Sequence, residues 1–257
     1  TLLSYLGRVN YTFKDRYLLT ASYRADGSSR FGKNNKWGYF PSAAFAWRAI
    51  EEDFMKQQTI LSDLKFRVSW GQTGNTALGP YQTLNSLSSY QTIFGNDLAI
   101  GYAPSSSLSN PTLKWETTTQ TDIGVDLGFL QDRLRVTADY YMKDTKDLLA
   151  IVSLPTSAGY ASTTQNIGEI QNSGVELGID ANVFSGEFKW DISANTSFNR
   201  NKVKYLVGGS DIFGAALQNP LGVPVSLVRV GQPVGVFFGY QENGLNEKGE
   251  IVFKDLN

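Results

Sequence analysis

The 257-residue sequence has no cysteine and no histidine. That absence removes disulfide frameworks, thiolate and imidazole metal sites, cysteine nucleophiles and Ser-His-Asp triads together. Charge of one sign is lacking too. The 23 Lys and Arg stand against 24 Asp and Glu, a net charge of −1, so no nucleic-acid partner or polybasic membrane surface is expected. No run of 18 apolar residues occurs, which excludes a transmembrane helix. Neither a GxGxxG nor a P-loop pattern is present. The opening TLLSYLGRVNYTF lacks the basic start, continuous apolar stretch and small-residue cleavage site of a signal peptide. It reads as the middle of a strand, so the chain is expected to be a segment of a longer one. Aromatics are plentiful: 5 Trp, 13 Tyr and 15 Phe make up 13% of the residues.

Period-2 alternation dominates and predicts eight strands. Their apolar rows are Leu3 to Phe13, Tyr17 to Ala25, Tyr39 to Trp47, Leu64 to Trp70, Trp115 to Phe129, Leu134 to Met142, Val175 to Val183 and Phe188 to Phe198, taking every second residue. These 44 positions hold no Asp, Glu, Lys or Arg, whereas the 36 positions between them hold 13. At the chain average of 18% charged, about eight would be expected in the first set. The two faces therefore meet different solvents.

The connections alternate as well. Residues 14–16, 130–132 and 185–187 are tight turns, and 49–62 is a longer link on the same side with room for one helical turn. On the other side, 27–37, 74–112, 144–171 and the stretch from about 204 onward are long, and loops beyond 15 residues are usually functional. Short turns at one end and long loops at the other form the pattern of a bacterial outer-membrane barrel.

A soluble sandwich would alternate too. Aromatic placement separates the two. Phe13, Tyr17, Trp47, Phe129 and Trp190 lie near the short turns; Tyr23, Tyr39, Trp70, Trp115, Tyr140 and Phe198 lie near the long loops; small and aliphatic residues occupy mid-strand. Two aromatic belts flanking an aliphatic band match the two membrane interfaces, whereas a sandwich core would put its largest rings centrally. The charged rows then line a lumen, with Arg8, Arg24, Arg67, Asp122, Asp126, Arg135, Asp139, Glu176, Asp180 and Asp191 facing it. An eight-stranded barrel is only wide enough inside for side chains, so 13 charges point to a larger, hydrated barrel of which this chain is one part. The fold class expected is all-β: an antiparallel up-and-down transmembrane β-barrel segment of about eight strands with long extracellular loops.

No catalytic constellation emerges, so an enzyme is not expected. Asp122 and Asp126 share a face and could be imagined as an acid/base pair, but solvated lumenal charge is the better account. In the loops, Tyr81, Tyr90, Tyr102, Tyr160 and Phe213 are candidates for stacking on sugars or packing on peptide side chains; the competing account is loop anchoring. The final GEIVFKDLN places Asp255 and Asn257 where an oxygen-ligand Ca²⁺ loop could begin, the sole cofactor signal in the sequence.

Several blocks carry a resemblance: RVNYTFKDRYLLTASYRADGSSRFG (8–32), GYFPSAAFAWR (38–48), DLKFRVSWGQTGN (63–75), NPTLKWETTTQTDIGVDLGFLQDRLRVTADYYMKDTKDLL (110–149), NIGEIQNSGVELGI (166–179) and VGQPVGVFFGY (230–240). Together they resemble SusC/RagA-type TonB-dependent transporters of Bacteroidetes-type bacteria, over nearly the whole chain. The resemblance implies a bacterial outer-membrane barrel of 22 strands closed by an N-terminal plug, with residues 1–257 forming part of the barrel domain and the plug and last strands outside them. It also implies a SusD-like surface lipoprotein as lid, energy from TonB-ExbB-ExbD acting through the plug, contact with outer-membrane lipids, and import of glycans or peptides too large for porins. The alternative of another class is an autonomous small barrel serving as an adhesin or structural anchor; a third, a soluble carbohydrate-binding β protein, requires the apolar rows to be buried within the chain.

Overall fold

A computed structural model of the chain describes residues 1–214 and 224–254. Eight long strands form one antiparallel sheet in sequence order: β1 (Leu2–Phe13), β2 (Tyr17–Ser28), β3 (Trp37–Arg48), β4 (Leu61–Asn75), β5 (Glu116–Phe129), β6 (Leu134–Lys146), β7 (Gly168–Ser185) and β8 (Lys189–Leu206). Each pairs only with its sequence neighbour, so the sheet is an open meander. The segments with alternating rows are these strands.

Register carries the alternation across the sheet. Val9 stands opposite Ala21, Ala21 opposite Ala43, and Ala43 opposite Trp70. Farther along, Val125, Ala138, Leu177 and Thr196 form another such rung. A one-residue slip in any pair would throw an apolar row onto the charged face, so the pattern itself enforces the register. One strand departs from strict alternation: a bulge between Asn182 and Phe184 moves Phe184, instead of Val183, into the apolar row. There Phe184 stacks on Trp190 at 6.0 Å, because an extra residue reverses the parity of every side chain beyond it.

Among the described residues, no second layer covers the apolar face. Val9 is 68% exposed, Ile123 56% and Phe198 67%. The accessible surface is 18250 Å² for a 28.4 kDa chain. A compact monomer of that mass exposes about 11,000 Å², so about 7,000 Å² here is surface that a soluble fold would have buried. The open sheet exposes both faces, and the uncovered apolar rows within this excess are incompatible with a monomer in water. The sandwich alternative fails on that comparison.

The tight turns and long loops sit at opposite ends as expected. The link after β3 contains two 3₁₀ turns, Ala49–Glu51 and Asp53–Met55. Lys14 and Asp15 both have φ of 53°, the left-handed pair that lets a tight turn follow the strand twist. At the loop end, Leu87–Phe94 and Asp97–Pro104 form a hairpin. Leu149–Ser153 pairs with Ser162–Asn166, which in turn pairs in parallel with Ser107–Leu108, lacing two loops together. The hydrophobic core proper also lies here, under the loops: Phe31, Phe40, Leu78, Leu113 and Trp115.

Candidate functional site

Register puts Arg8, Arg24, Arg67, Asp122, Asp126, Arg135, Asp139, Glu176, Asp180 and Asp191 all on the face opposite the apolar rows. At mid-sheet, Arg67 Nε and Nη2 donate to the two oxygens of Asp126 at 2.9 and 2.7 Å, and Nη2 also donates to Asp139 at 3.2 Å. Lys65 joins the same Asp126 at 2.9 Å. Two cations and two carboxylates thus cancel across three strands, which lets them coexist on a partly dehydrated wall. Gly124 makes the arrangement possible. A Cβ there would lie against Asp139 Oδ1 and Arg67 Nη2, blocking the guanidinium's path over β5. Gly124→Ala is expected to break the Arg67–Asp139 bond and cost about 1–3 kcal/mol, by overpacking, in urea unfolding of the lipid-reconstituted receptor. An unchanged transition midpoint would contradict this.

Toward the loop end the same face holds a cavity of about 480 Å³, lined among others by Arg8, Thr20, Ser22, Arg24, Asp26, Ser42 and Asp122. Arg24 Nε donates to Asp26 Oδ1 at 2.7 Å, the Ser22 and Ser42 hydroxyls share a hydrogen bond of 2.7 Å, and Asp122 accepts from Ser69 and Gln120 at 3.0 and 2.8 Å. Farther round the sheet the charged face is a chain of local pairs: Tyr141 with Asn199, Ser193 with Asp180, Asn182 with Asp191, and Arg135 with Asp132. The arrangement offers hydrogen bonds and fixed charge along the wall.

The aromatic candidates divide. Phe13, Tyr17, Tyr23, Tyr39, Trp47, Trp70, Phe129, Tyr140, Trp190 and Phe198 stand on the apolar face. Rings stack along the ends of the strands: Phe13 with Tyr17 at 6.4 Å, Trp47 with Phe66 at 5.7 Å, Tyr23 with Tyr39 at 6.2 Å. Trp115 is a correction. Instead of joining the belt it is 7% exposed, tilted against Phe31 at 5.1 Å and edge-on to Phe40 at 5.5 Å, with its indole N–H donating to the Lys36 carbonyl. It precedes the first residue of β5, so sheet parity no longer dictates its direction, and the loop cluster captures it.

Two belt residues direct their polar tips at one carboxylate. Glu52 accepts from the Tyr17 hydroxyl at 2.6 Å, from Trp47 Nε1 at 3.1 Å and from Arg16 at 2.9 Å. The Tyr17 hydrogen bond and then that of Trp47 hold the Glu52 carboxyl below the usual carboxylate range; burial opposes them, and the Arg16 charge and hydrogen bond add to the lowering. A lowered folded-state pKa stabilises the fold above the ordinary carboxylate pKa, and that contribution disappears as pH falls through the lowered value. Glu52→Gln is therefore expected to flatten the acid limb of stability below about pH 4.5, measured by tryptophan fluorescence, and identical acid limbs would refute the role.

The five loop aromatics are not brought together. Tyr90 and Tyr102 occupy adjacent rungs of the hairpin and so opposite faces. Tyr81 is 73% exposed at a φ of 67°. Tyr160 is half-buried, and Phe213 packs edge-on against Phe238 at 5.2 Å. No group of Asp and Glu with metal-binding geometry occurs among the described residues. Asp255 and Asn257, the suggested start of a Ca²⁺ loop, lie outside them.

Alternation did not reveal the loop locks. Arg30 donates to the carbonyls of Thr76 and Leu78, Asn35 to those of Thr112 and Leu113, and Asn166 to those of Lys114 and Asp147. These side chains satisfy backbone carbonyls that no ladder reaches, and they bind three loops into one rim.

A family model described as TonB dependent receptor-like, beta-barrel matches residues 4–246. The chain is 39% identical over 275 residues to the TonB-dependent receptor SusC of Bacteroides thetaiotaomicron, covering 100% of this chain and 27% of that protein. To the TonB-dependent receptor P3 of Formosa agariphila it is 39% identical over 252 residues, covering 97% and 25%. The solved structure of the RagAB peptide transporter superposes with a TM-score of 0.86 at 29% identity, over 98% of this chain and 27% of that one. The chain thus spans about a quarter of the length of the proteins it matches.

Proposed function

The chain belongs to the TonB-dependent receptor-like β-barrel family and its sheet lies in the bacterial outer membrane; from that premise we propose that it forms part of the wall of an active importer of large nutrients, oligosaccharides or peptides. The observation that carries the proposal is the two-faced sheet. One face has no charged row and no covering layer, as a surface against lipid tails requires; the other carries paired charges, hydroxyls and a cavity, as a wetted wall requires. Residues 1–257 would be one arc of a 22-stranded barrel whose plug and closing strands are supplied by the rest of the receptor, since β1 and β8 each have one unpaired edge among the described residues.

Transport in this reading involves no covalent chemistry. The substrate is held by hydrogen bonds to the wall and rim while TonB-ExbB-ExbD supplies energy through the plug and a SusD-like lipoprotein covers the mouth. The RagAB relative is a peptide transporter and SusC is a TonB-dependent receptor, which supports import without choosing between peptide and glycan. The test is uptake of fluorescently labelled oligosaccharide and peptide pools by cells with and without the receptor gene, each with and without TonB. Loss of uptake in both deletions is expected; uptake that survives deletion of the receptor gene overturns the proposal.

A further inference from the structure

The geometry points to a receptor for a substrate carboxylate at Arg24 and Arg8, an inference that rests on the import reading above. Arg24 donates through Nε to Asp26 Oδ1 at 2.7 Å, and Asp26 is buried at 4% exposure. That contact occupies the stem side of the guanidinium. Its two Nη groups have no partner among the described residues, and the side chain remains half exposed to the cavity. A guanidinium gripped at Nε by a buried carboxylate has its fork aimed before a ligand arrives, so two-point binding of a planar carboxylate costs less entropy.

Arg8 reinforces the site. It stands opposite Ser22 on β1, which makes it the diagonal neighbour of Arg24 at about 7–8 Å. Unlike Arg24, it has no ion-pair or hydrogen-bond partner among the described residues, and it lines the same cavity. At this end of the cavity two guanidinium groups stand with one carboxylate, which Arg24 alone engages, so the Arg8 charge is uncompensated there. The other carboxylate of the cavity, Asp122, is three strands away on β5, about 14 Å along the sheet, and is occupied by Ser69 and Gln120. Between them, the bonded Ser22 and Ser42 hydroxyls provide a neutral polar floor. Phe40, which lines the same cavity, is packed under Trp115, so its ring face is spent on the loop core and recognition at this end falls to charge and hydroxyls.

A substrate carboxylate can come from a uronic acid in a glycan or from an acidic or C-terminal group of a peptide, and calorimetry on the full-length receptor in detergent separates the two. The probes are trigalacturonic acid against its methyl ester, and an acidic pentapeptide against its fully amidated form. In one pair the acid is expected to bind at least tenfold more tightly, and which pair does so identifies the source. Arg24→Gln is expected to abolish that preference. Because this change leaves Asp26 buried without its partner, Arg8→Gln is the second variant, expected to reduce the preference several-fold. Equal affinity of acid and neutral forms in both pairs, or no binding by any probe, overturns the carboxylate receptor. The import reading falls on a different result, uptake that survives deletion of the receptor gene.

Discussion

Trp115→Ala is expected to unlock the extracellular rim while leaving the sheet in place. The indole fills the space between Phe31 and Phe40 and ties its N–H to the Lys36 carbonyl, and Leu113 beside it is fully buried. Removing a buried Trp costs about 3–5 kcal/mol, most of it as a cavity that cannot collapse. Collapse is hindered here because Phe40 already occupies the space a Cβ would take on Gly38 and Gly74. The loss falls on residues 29–36 and 76–115, the loops that the cluster holds down. Hydrogen exchange and limited proteolysis of the lipid-embedded receptor should show those loops opening about 10²- to 10⁴-fold more often, with strand amides unaffected. Loss of strand stability with intact loops would instead put Trp115 in the lipid belt.

The second large effect discriminates the two faces of the sheet. Ile179→Arg places a charge amid Val136 and Ala194 on the apolar face, where Ile179 is 46% exposed. At mid-bilayer an arginine on the lipid side costs about 2–4 kcal/mol. Ser197→Arg puts the same side chain on the opposite face of the neighbouring strand, across from Glu176, where water and a carboxylate receive it. That substitution is expected to stay within about 0.5 kcal/mol of the parent. Reversible folding into lipid vesicles measures both. Equal penalties would mean that the two faces do not meet different solvents, and the membrane assignment would lose its basis.

Which parts of this were legible in the sequence follows from side-chain parity. Val9, Ala21, Ala43 and Trp70 share one face because their strands alternate strictly, and the charge-free rows could be read without knowing which strand pairs with which. Phe184 was not legible, since a single bulged residue inverts parity without any mark in composition. Trp115 misled for a related reason: it lies one residue before β5, beyond the reach of the ladder. The ion cluster of Lys65, Arg67, Asp126 and Asp139 was readable as charge on one face. That one guanidinium would bridge two strands, over a glycine, was not.

The amino-acid sequence alone determined an antiparallel ribbon of eight strands, its short-turn and long-loop ends, and a face without charge, because those properties depend only on residues two apart. The tertiary structure decided what lies side by side: the laced rim over Phe31, Phe40 and Trp115, the Glu52 anchor, and the Arg24 fork held by Asp26 next to Arg8 in the cavity. Alternation acts along a strand, whereas these sites are made by register and loop packing between residues that lie far apart in sequence or on neighbouring strands. Local periodicity carries no information about such neighbours.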